Sequence, residues 1–354
     1  MYKIIPHSRP FVSQEDIEVV ARQVELGMHA SGDITKEFED KFSKFIGIQY
    51  AKATNSGTNS LHLALLSLGI KEDDEVMIPS YICASVLSAV NYTRARAVLA
   101  DIDPEFDKKG YNISARTIES KITKNTKAVI VPHMFGTLVE IDDIKKFGIP
   151  IIEDCAHSLG AEYKRRKVGS LGDMSIFSFY ATKIISTGSG GMAATSNDKI
   201  SARLEDLTQY DERDKYGISY NYSLSDIQSA LGIKQLEKLQ SFIERRRFIG
   251  EKYDREFSRV GLKIPPKLEG SFPFRYILRF SDKKERDNIK NRLARVGVKT
   301  ELPIFRPLHQ YLELDKKDFE ATEDAYNTSL SLPIYPALQD DDIDYIIKRM
   351  YEVI

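Results

Sequence analysis

Ser178-Phe-Tyr-Ala-Thr-Lys183 runs almost directly into Thr187-Gly-Ser-Gly-Gly191, and upstream stands Ile151-Ile-Glu-Asp154-Cys-Ala-His157. Residues 175–180 are apolar enough to read as a strand, and a lysine follows at once. The flanks of that lysine are small and apolar, and the glycines beyond it permit close backbone approach. The 149–153 run also reads as a strand and ends in the carboxylate of Asp154. An acid at one strand end and a lysine after another place both at the mouth of a sheet. That is where ligands gather in parallel α/β folds.

Outward from this stretch the chain alternates strands and helices. Residues 75–79, 97–101 and 128–132 are further short, nearly continuous apolar runs, 191–195 reads as a later strand, and 61–68 and 85–90 read as helices. Such runs imply a mostly parallel sheet covered on both faces. Towards the N-terminus, 13–26 reads as a helix with Ser13 as N-cap, Asp16 three residues on, and Ile17, Val20, Ala21 and Val24 on one face. After a turn-rich 27–33, residues 35–45 form a second helix that buries Phe38, Phe42 and Phe45. Residues 224–260 read as one long helical region containing the domain junction. Past Pro265-Pro266 the texture changes: 274–280 alternates like a half-covered strand, 283–296 is a helix, 298–302 a strand and 340–353 a last amphipathic helix. The expected architecture is α/β: a large domain over 1–243, with a mostly parallel mixed sheet flanked by helices, and a small C-terminal α+β domain over 244–354.

The whole-chain properties bound the function. A chain of 354 residues suits a large domain plus a smaller one. A formal net charge of -1 supplies no general attraction to nucleic acid or anionic lipid. Cys83 and Cys155 have neither a disulfide framework nor metal-ligand spacing, so no metal is expected. No run is long enough to span a bilayer, and the first residues lack a cleavable apolar core. The expectation is a soluble, cytoplasmic protein.

The chemistry lies in the ordered set. Asn55-Ser-Gly57-Thr58 precedes an apolar helix, where free N–H groups and hydroxyls suit an anion, or simply cap the helix. Asp154 suits the pyridine nitrogen of pyridoxal phosphate (PLP), keeping it protonated so that the ring draws electrons. His157 is within reach of the same ring, and Ser178 offers a hydroxyl to the phosphate. Lys183 is the catalytic residue: a free lysine, with a pKa of about 10.4, is protonated at neutral pH, whereas one bound to PLP is released beside the reacting carbon and can shuttle its proton.

These motifs resemble the DegT/DnrJ/EryC1/StrS family of PLP-dependent nucleotide-sugar aminotransferases, of fold type I. The resemblance covers nearly the whole chain and includes Ser31-Gly32 with Glu37-Phe38-Glu39, Pro79-Ser-Tyr81, Tyr220-Asn221-Tyr222, Pro307-Leu308-His309 and Leu330-Ser-Leu-Pro-Ile-Tyr-Pro336. It implies that Lys183 holds PLP covalently, that Asp154 holds the ring nitrogen and that Gly57, Thr58 and Ser178 bind the phosphate. It further implies that Asn221 reaches the cofactor of the partner subunit in a homodimer with shared active sites, and that His309 lies near the sugar. Arg306 reads either as a contact to the nucleotide diphosphate or as a solvent-facing residue. The sequence departs from the family in four places. His157 stands where glutamine is common, and Cys83 where an aromatic residue often stacks on the ring, leaving Tyr81 or His157 to cover it. Ser223 replaces an arginine, and Ser189 an acid or glycine.

The expected activity is transfer of an amino group from glutamate to a nucleotide-linked keto sugar, a 4-keto-6-deoxyhexose. A related sugar dehydratase carries histidine at the lysine position, so Lys183 argues against it. A cofactor-binding regulatory protein without catalysis would not need Asp154 and Lys183 together. A nicotinamide dehydrogenase would need a Gly-x-Gly-x-x-Gly turn after a first strand, which is missing.

Overall fold

Strands that are apolar on both sides have no face to give to water, so they assemble into a sheet covered by helices. In the computed structural model, which describes residues 3–211 and 213–354, seven strands do this. Their spatial order is Tyr50–Thr54, Gly191–Thr195, Met174–Ser178, Ile151–Asp154, Thr126–Pro132, Glu75–Pro79 and Arg96–Ala100. The last five in that order pair parallel. Gly191–Thr195 runs antiparallel to both its neighbours. The sheet is therefore mixed and mostly parallel, as the sequence predicts.

Alternate residues of each strand feed opposite cores. Phe177 and Val129 join Phe38, Phe42 and Phe179 on one side. Ile176 and Ile130 join Leu61, Leu63 and Ile78 on the other. A third core gathers Tyr253, Leu278, Leu293 and Ile346 around the two-stranded antiparallel sheet of Tyr276–Arg279 and Ser329–Leu332. The Leu239–Ser258 helix bridges cores: Leu239 and Phe242 lie in the first, Ile249 and Phe257 in the third.

Three expectations change in the structure, and one face finds an unexpected place. The 224–260 region is two helices, Asp226–Glu237 and Leu239–Ser258, because the chain turns at Lys238, whose Nζ is drawn 3.0 Å from Asp16 Oδ1 of the first helix. Residues 298–302 form isolated bridges only, Val298 to Ile5 and Glu301 to Ser331, before Pro303 ends the run. Ile5 is buried in the third core, so the start of the chain packs with the C-terminal elements rather than with the large sheet. The apolar face of the Gln14–Glu25 helix is turned outwards: Ile17 is 54% exposed and Val24 50%, while Asp16 and Gln23 are buried.

Candidate active site

A cavity of about 1020 Å³ opens at the carboxyl ends of the parallel strands. Its floor comes from the large sheet: Asp154, His157, Ser178 and Lys183. Ser56, Gly57 and Thr58 form one end, Ile82 and Cys83 one wall, and Glu301 to Arg306 with Gln310 and Tyr311 the outer wall. A smaller cavity of about 200 Å³ lies next to it, and Arg275 borders both.

Register sets the acid and the lysine side by side. Asp154 pairs with Ile176 on the adjacent parallel strand, and Lys183 follows shortly after that strand ends at Ser178. Strand alternation separates Glu153 from Asp154. Glu153 points into the fold, where its carboxylate accepts from the N–H groups of Gly169 (3.0 Å), Leu171 (2.6 Å) and Gly172 (2.7 Å) and contacts His133 Nε2 (3.1 Å). That full complement of bonds fixes the Gly169–Gly172 turn. It also leaves Glu153 no free oxygen for a metal, although His133 and Cys155 lie close by. Asp154 faces the cavity instead and accepts one bond, from Ala156 N–H at 3.0 Å.

Burial raises the pKa of Asp154, opposed by the Ala156 N–H, Lys183 and His133. Burial likewise lowers Lys183 to about 8, opposed by Asp154 and reinforced by Arg275. The lysine is thus pushed towards the neutral form that attacks a carbonyl. His157 is lowered well below the ordinary range, by burial first and then by Lys183, Arg275 and Arg246. Its ring lies nearly parallel to that of Phe274, at 4.3 Å and 16°. Its Nδ1 accepts from Phe135 N–H at 3.4 Å, which assigns the ring proton to Nε2.

The other end of the cavity is built for an anion. Ser56 caps the Gly57–Ser67 helix through Asn59 N–H (3.1 Å), while the remaining first-turn N–H groups have no intrahelical acceptor. Gly57 is required here: a Cβ would lie 2.9 Å from Ser178 Cβ. This close approach puts the Ser178 hydroxyl beside the helix N-terminus. Gly191 is required for a similar reason, since a Cβ would come within 2.6 Å of the Ser56 carbonyl carbon. A phosphate at this end, a basic nitrogen at Asp154 and an aldehyde at Lys183 are the three handles of PLP. The residues fit that group.

Two sequence assignments need correction. Tyr81 does not line the cavity: it is fully buried, stacked on Tyr111 at 5.6 Å and 20°. His309 is also buried outside the cavity. Its Nδ1 lies 2.7 Å from Ser80 Oγ, its Nε2 2.9 Å from Glu323 Oε1, and its ring stacks on Phe319 at 4.5 Å. Both nitrogens are spent on joining the Ser80 strand end to the 307–323 segment, so none is left for a sugar. Asn221 is exposed and away from this chain's own cavity, but it sits beside the phosphate end, where Asn55 N–H donates to Tyr222 O at 2.8 Å. Arg306 lines the cavity rim and is exposed, with Nη2 donating to Gln310 O at 2.7 Å. Cys83 lines the wall where the family often has an aromatic ring. Arg275, Lys290 and Tyr326 were not singled out from the sequence, yet all three line the cavity.

Fold and site together define a PLP enzyme of fold type I. The sequence model of the DegT/DnrJ/EryC1/StrS aminotransferase family matches residues 10–351, and the chain belongs to that family, whose enzymes use PLP. It is 33% identical over 341 residues to the GDP-perosamine synthase of Caulobacter vibrioides, covering 91% of each chain. It is 29% identical over 374 residues to the UDP-4-amino-4,6-dideoxy-N-acetyl-beta-L-altrosamine transaminase of Campylobacter jejuni, covering 99% of this chain and 98% of that one. The structure is similar to a sugar aminotransferase of Streptococcus pneumoniae in its PMP form, with a TM-score of 0.92, 26% identity, and coverage of 99% of this chain and 97% of that chain. Its PLP form gives a TM-score of 0.91.

Proposed function

We propose that this protein transfers the amino group of L-glutamate to the keto group of a nucleotide-linked sugar, with a 4-keto-6-deoxyhexose as acceptor. The observation that carries the reading is Lys183 and Asp154 sharing one large cavity without pairing, with an anion cradle at one end and an open outer wall at the other. The relatives support the substrate class, since two of them are named for the amino sugars they make.

PLP supplies an electron-withdrawing ring to which an amine can be joined and from which it can be released. The chain supplies the rest. Asp154 holds positive charge on the ring nitrogen. The Nε2–H of His157 donates to the phenolic oxygen, the bond that glutamine provides in many relatives. Gly57, Thr58 and Ser178 take the phosphate. Lys183 would hold PLP and would move a proton at the reacting carbon, a task its lowered pKa suits near neutral pH. Cys83 contributes a small wall there, leaving that side of the ring open. Arg306 and the 301–306 segment contact the nucleotide at the rim.

The enzyme works in the cytoplasm as a homodimer in which Asn221 completes the partner subunit's phosphate site. Support comes from the outward apolar face of the Gln14–Glu25 helix, which water does not favour. Among the described residues no helix is long and apolar enough to cross a membrane. Shared sites have a direct signature: Lys183→Ala and Asn221→Ala proteins, each inactive, regain about a quarter of full activity when mixed as random dimers.

The reaction is tested with purified protein, PLP, L-glutamate and a panel of nucleotide-linked keto sugars, read by mass spectrometry for the amino sugar and by release of 2-oxoglutarate. Failure to release 2-oxoglutarate with every sugar overturns the reading.

A further inference from the structure

Three cations and a histidine crowd one phenyl ring. Lys183 Nζ lies 5.7 Å from the centroid of Phe274, Arg246 Cζ 5.2 Å and Arg275 Cζ 5.9 Å, and His157 stacks on the same ring. Arg246 is occupied: Nη1 donates to the carbonyls of Phe274 (2.8 Å) and Ile334 (2.9 Å), and the side chain does not reach the cavity.

Arg275 is different. It lines the cavity, which Arg246 does not, and its Nε, like that of Arg246, is buried without a partner. Its guanidinium meets His7 Nε2 at 3.3 Å. That ring supplies no counter-charge, because burial, with Arg275 and Arg246, lowers His7 to about 3 and keeps it neutral. Glu301 attracts Arg275 from a distance but stands 3.9 Å from Lys290 instead. Among the described residues Arg275 has no ion pair. A largely buried guanidinium without an anion is costly, and its planar fork of donors matches a carboxylate or a phosphate.

Position decides between the anions. The cofactor phosphate belongs to the Gly57 and Ser178 end. The nucleotide diphosphate must lie towards solvent, where Arg306 is exposed on the rim. Arg275 instead shares the Phe274 ring with Lys183, and its charge is felt by both Lys183 and His157. The amine of an amino-acid donor must react where Lys183 Nζ sits, and its α-carboxylate is one carbon further on. We propose that Arg275 anchors the α-carboxylate of the amino donor, and of the 2-oxo acid it leaves behind. This rests on the aminotransferase reading with an amino-acid donor.

The test uses holoenzyme carrying Arg275→Gln, which keeps a donor towards His7, and Arg275→Lys, which keeps the charge but loses the fork. Calorimetric titration with 2-oxoglutarate, and separately with UDP and GDP, reads binding without turnover. The expected result is roughly 10- to 100-fold weaker 2-oxoglutarate binding in the Gln variant, the scale of a lost charge-assisted contact, with a smaller loss in the Lys variant and nucleotide affinity unchanged. In steady state the KM for L-glutamate rises by the same factor while the KM for the sugar nucleotide holds. Weakened nucleotide binding, unchanged 2-oxoglutarate binding in both variants, or wild-type protein that binds no 2-oxoglutarate overturns the assignment. Should no sugar be aminated at all, the calorimetric comparison still reports on Arg275, so the two readings fail separately.

Discussion

Asp154, at the end of one parallel strand, and Lys183, in the turn after its neighbour, face one cavity and do not form an ion pair. Each feels the other, yet burial dominates both, raising the acid and lowering the base. Two opposite charges held apart at a strand end keep a space between them that a flat, polar-edged molecule can fill. Closing that gap into a salt bridge would remove both the nucleophile and the ring anchor.

The first consequence is a pH signature in the cofactor-free protein. With Lys183 lowered to about 8, covalent capture of added PLP should accelerate as pH rises towards 8 and level off above it. An ordinary lysine would still be gaining at about 10.4. Stopped-flow absorbance across a pH series reads this directly. Between pH 8 and the ordinary lysine value the unfolded chain holds the extra proton, so folding stability should rise with pH there, relative to a Lys183→Met protein. Lys183→Ala should lower kcat by ~10³-fold, the scale of a lost proton-transfer group.

Asp154→Asn preserves the shape and an oxygen for Ala156 N–H, but not the charge. A charge-assisted bond to the ring nitrogen is exchanged for a neutral one, so kcat should fall about 10- to 100-fold while the KM for the sugar stays within a factor of about two. A rise in KM without a fall in kcat would place Asp154 on the substrate instead.

The Gly57 contact with Ser178 separates packing from phosphate binding. Gly57→Ala drives a Cβ to 2.9 Å from Ser178 Cβ, and overpacking of this kind costs about 1–3 kcal/mol. Adding Ser178→Gly removes the collision and should restore the melting temperature. It should not restore PLP affinity, because the hydroxyl is then gone. Equilibrium dialysis against PLP and a thermal melt distinguish the two effects.

His309→Leu should destabilise the fold by roughly 2–4 kcal/mol, since Ser80 and Glu323 both lose their partner inside the protein. The KM for the sugar nucleotide should be almost unchanged in the protein that remains folded. Denaturant titration together with steady-state kinetics checks both halves.

Much of the floor was legible because its signals are local. Asp154 and Lys183 each end a strand pattern a few residues long, and Gly57-Thr58 announces a helix start. Ser13 and Asp16 likewise form the expected cap, with Asp16 accepting from Ser13 N–H at 2.8 Å. What was misread depends on distant partners. Apolar periodicity continues straight through Lys238, whereas the chain turns there beside Asp16, more than two hundred residues earlier, which accepts from Lys238 Nζ. A histidine in Pro307-Leu308-His309 gives no sign of which way its ring points, and Ser80 with Glu323 decides it. Arg275 lies in a stretch that shows only strand alternation, and nothing local marks it out; the fold alone brings Lys183 to the same phenyl ring. The outward face of the first helix has the same periodicity as a buried one, because amphipathic spacing does not say what covers it.

The bridge from Glu301 to Ser331 and the bonds of His309 to Ser80 and Glu323 act as two posts, with the outer wall slung between them. Within that wall Pro303 and Ile304 are buried, whereas Phe305 and Arg306 are exposed and bear little of the load that keeps the protein folded. They are the economical place for evolution, or an engineer, to exchange side chains or add length and so retarget the enzyme to another sugar, leaving the machinery on the floor untouched.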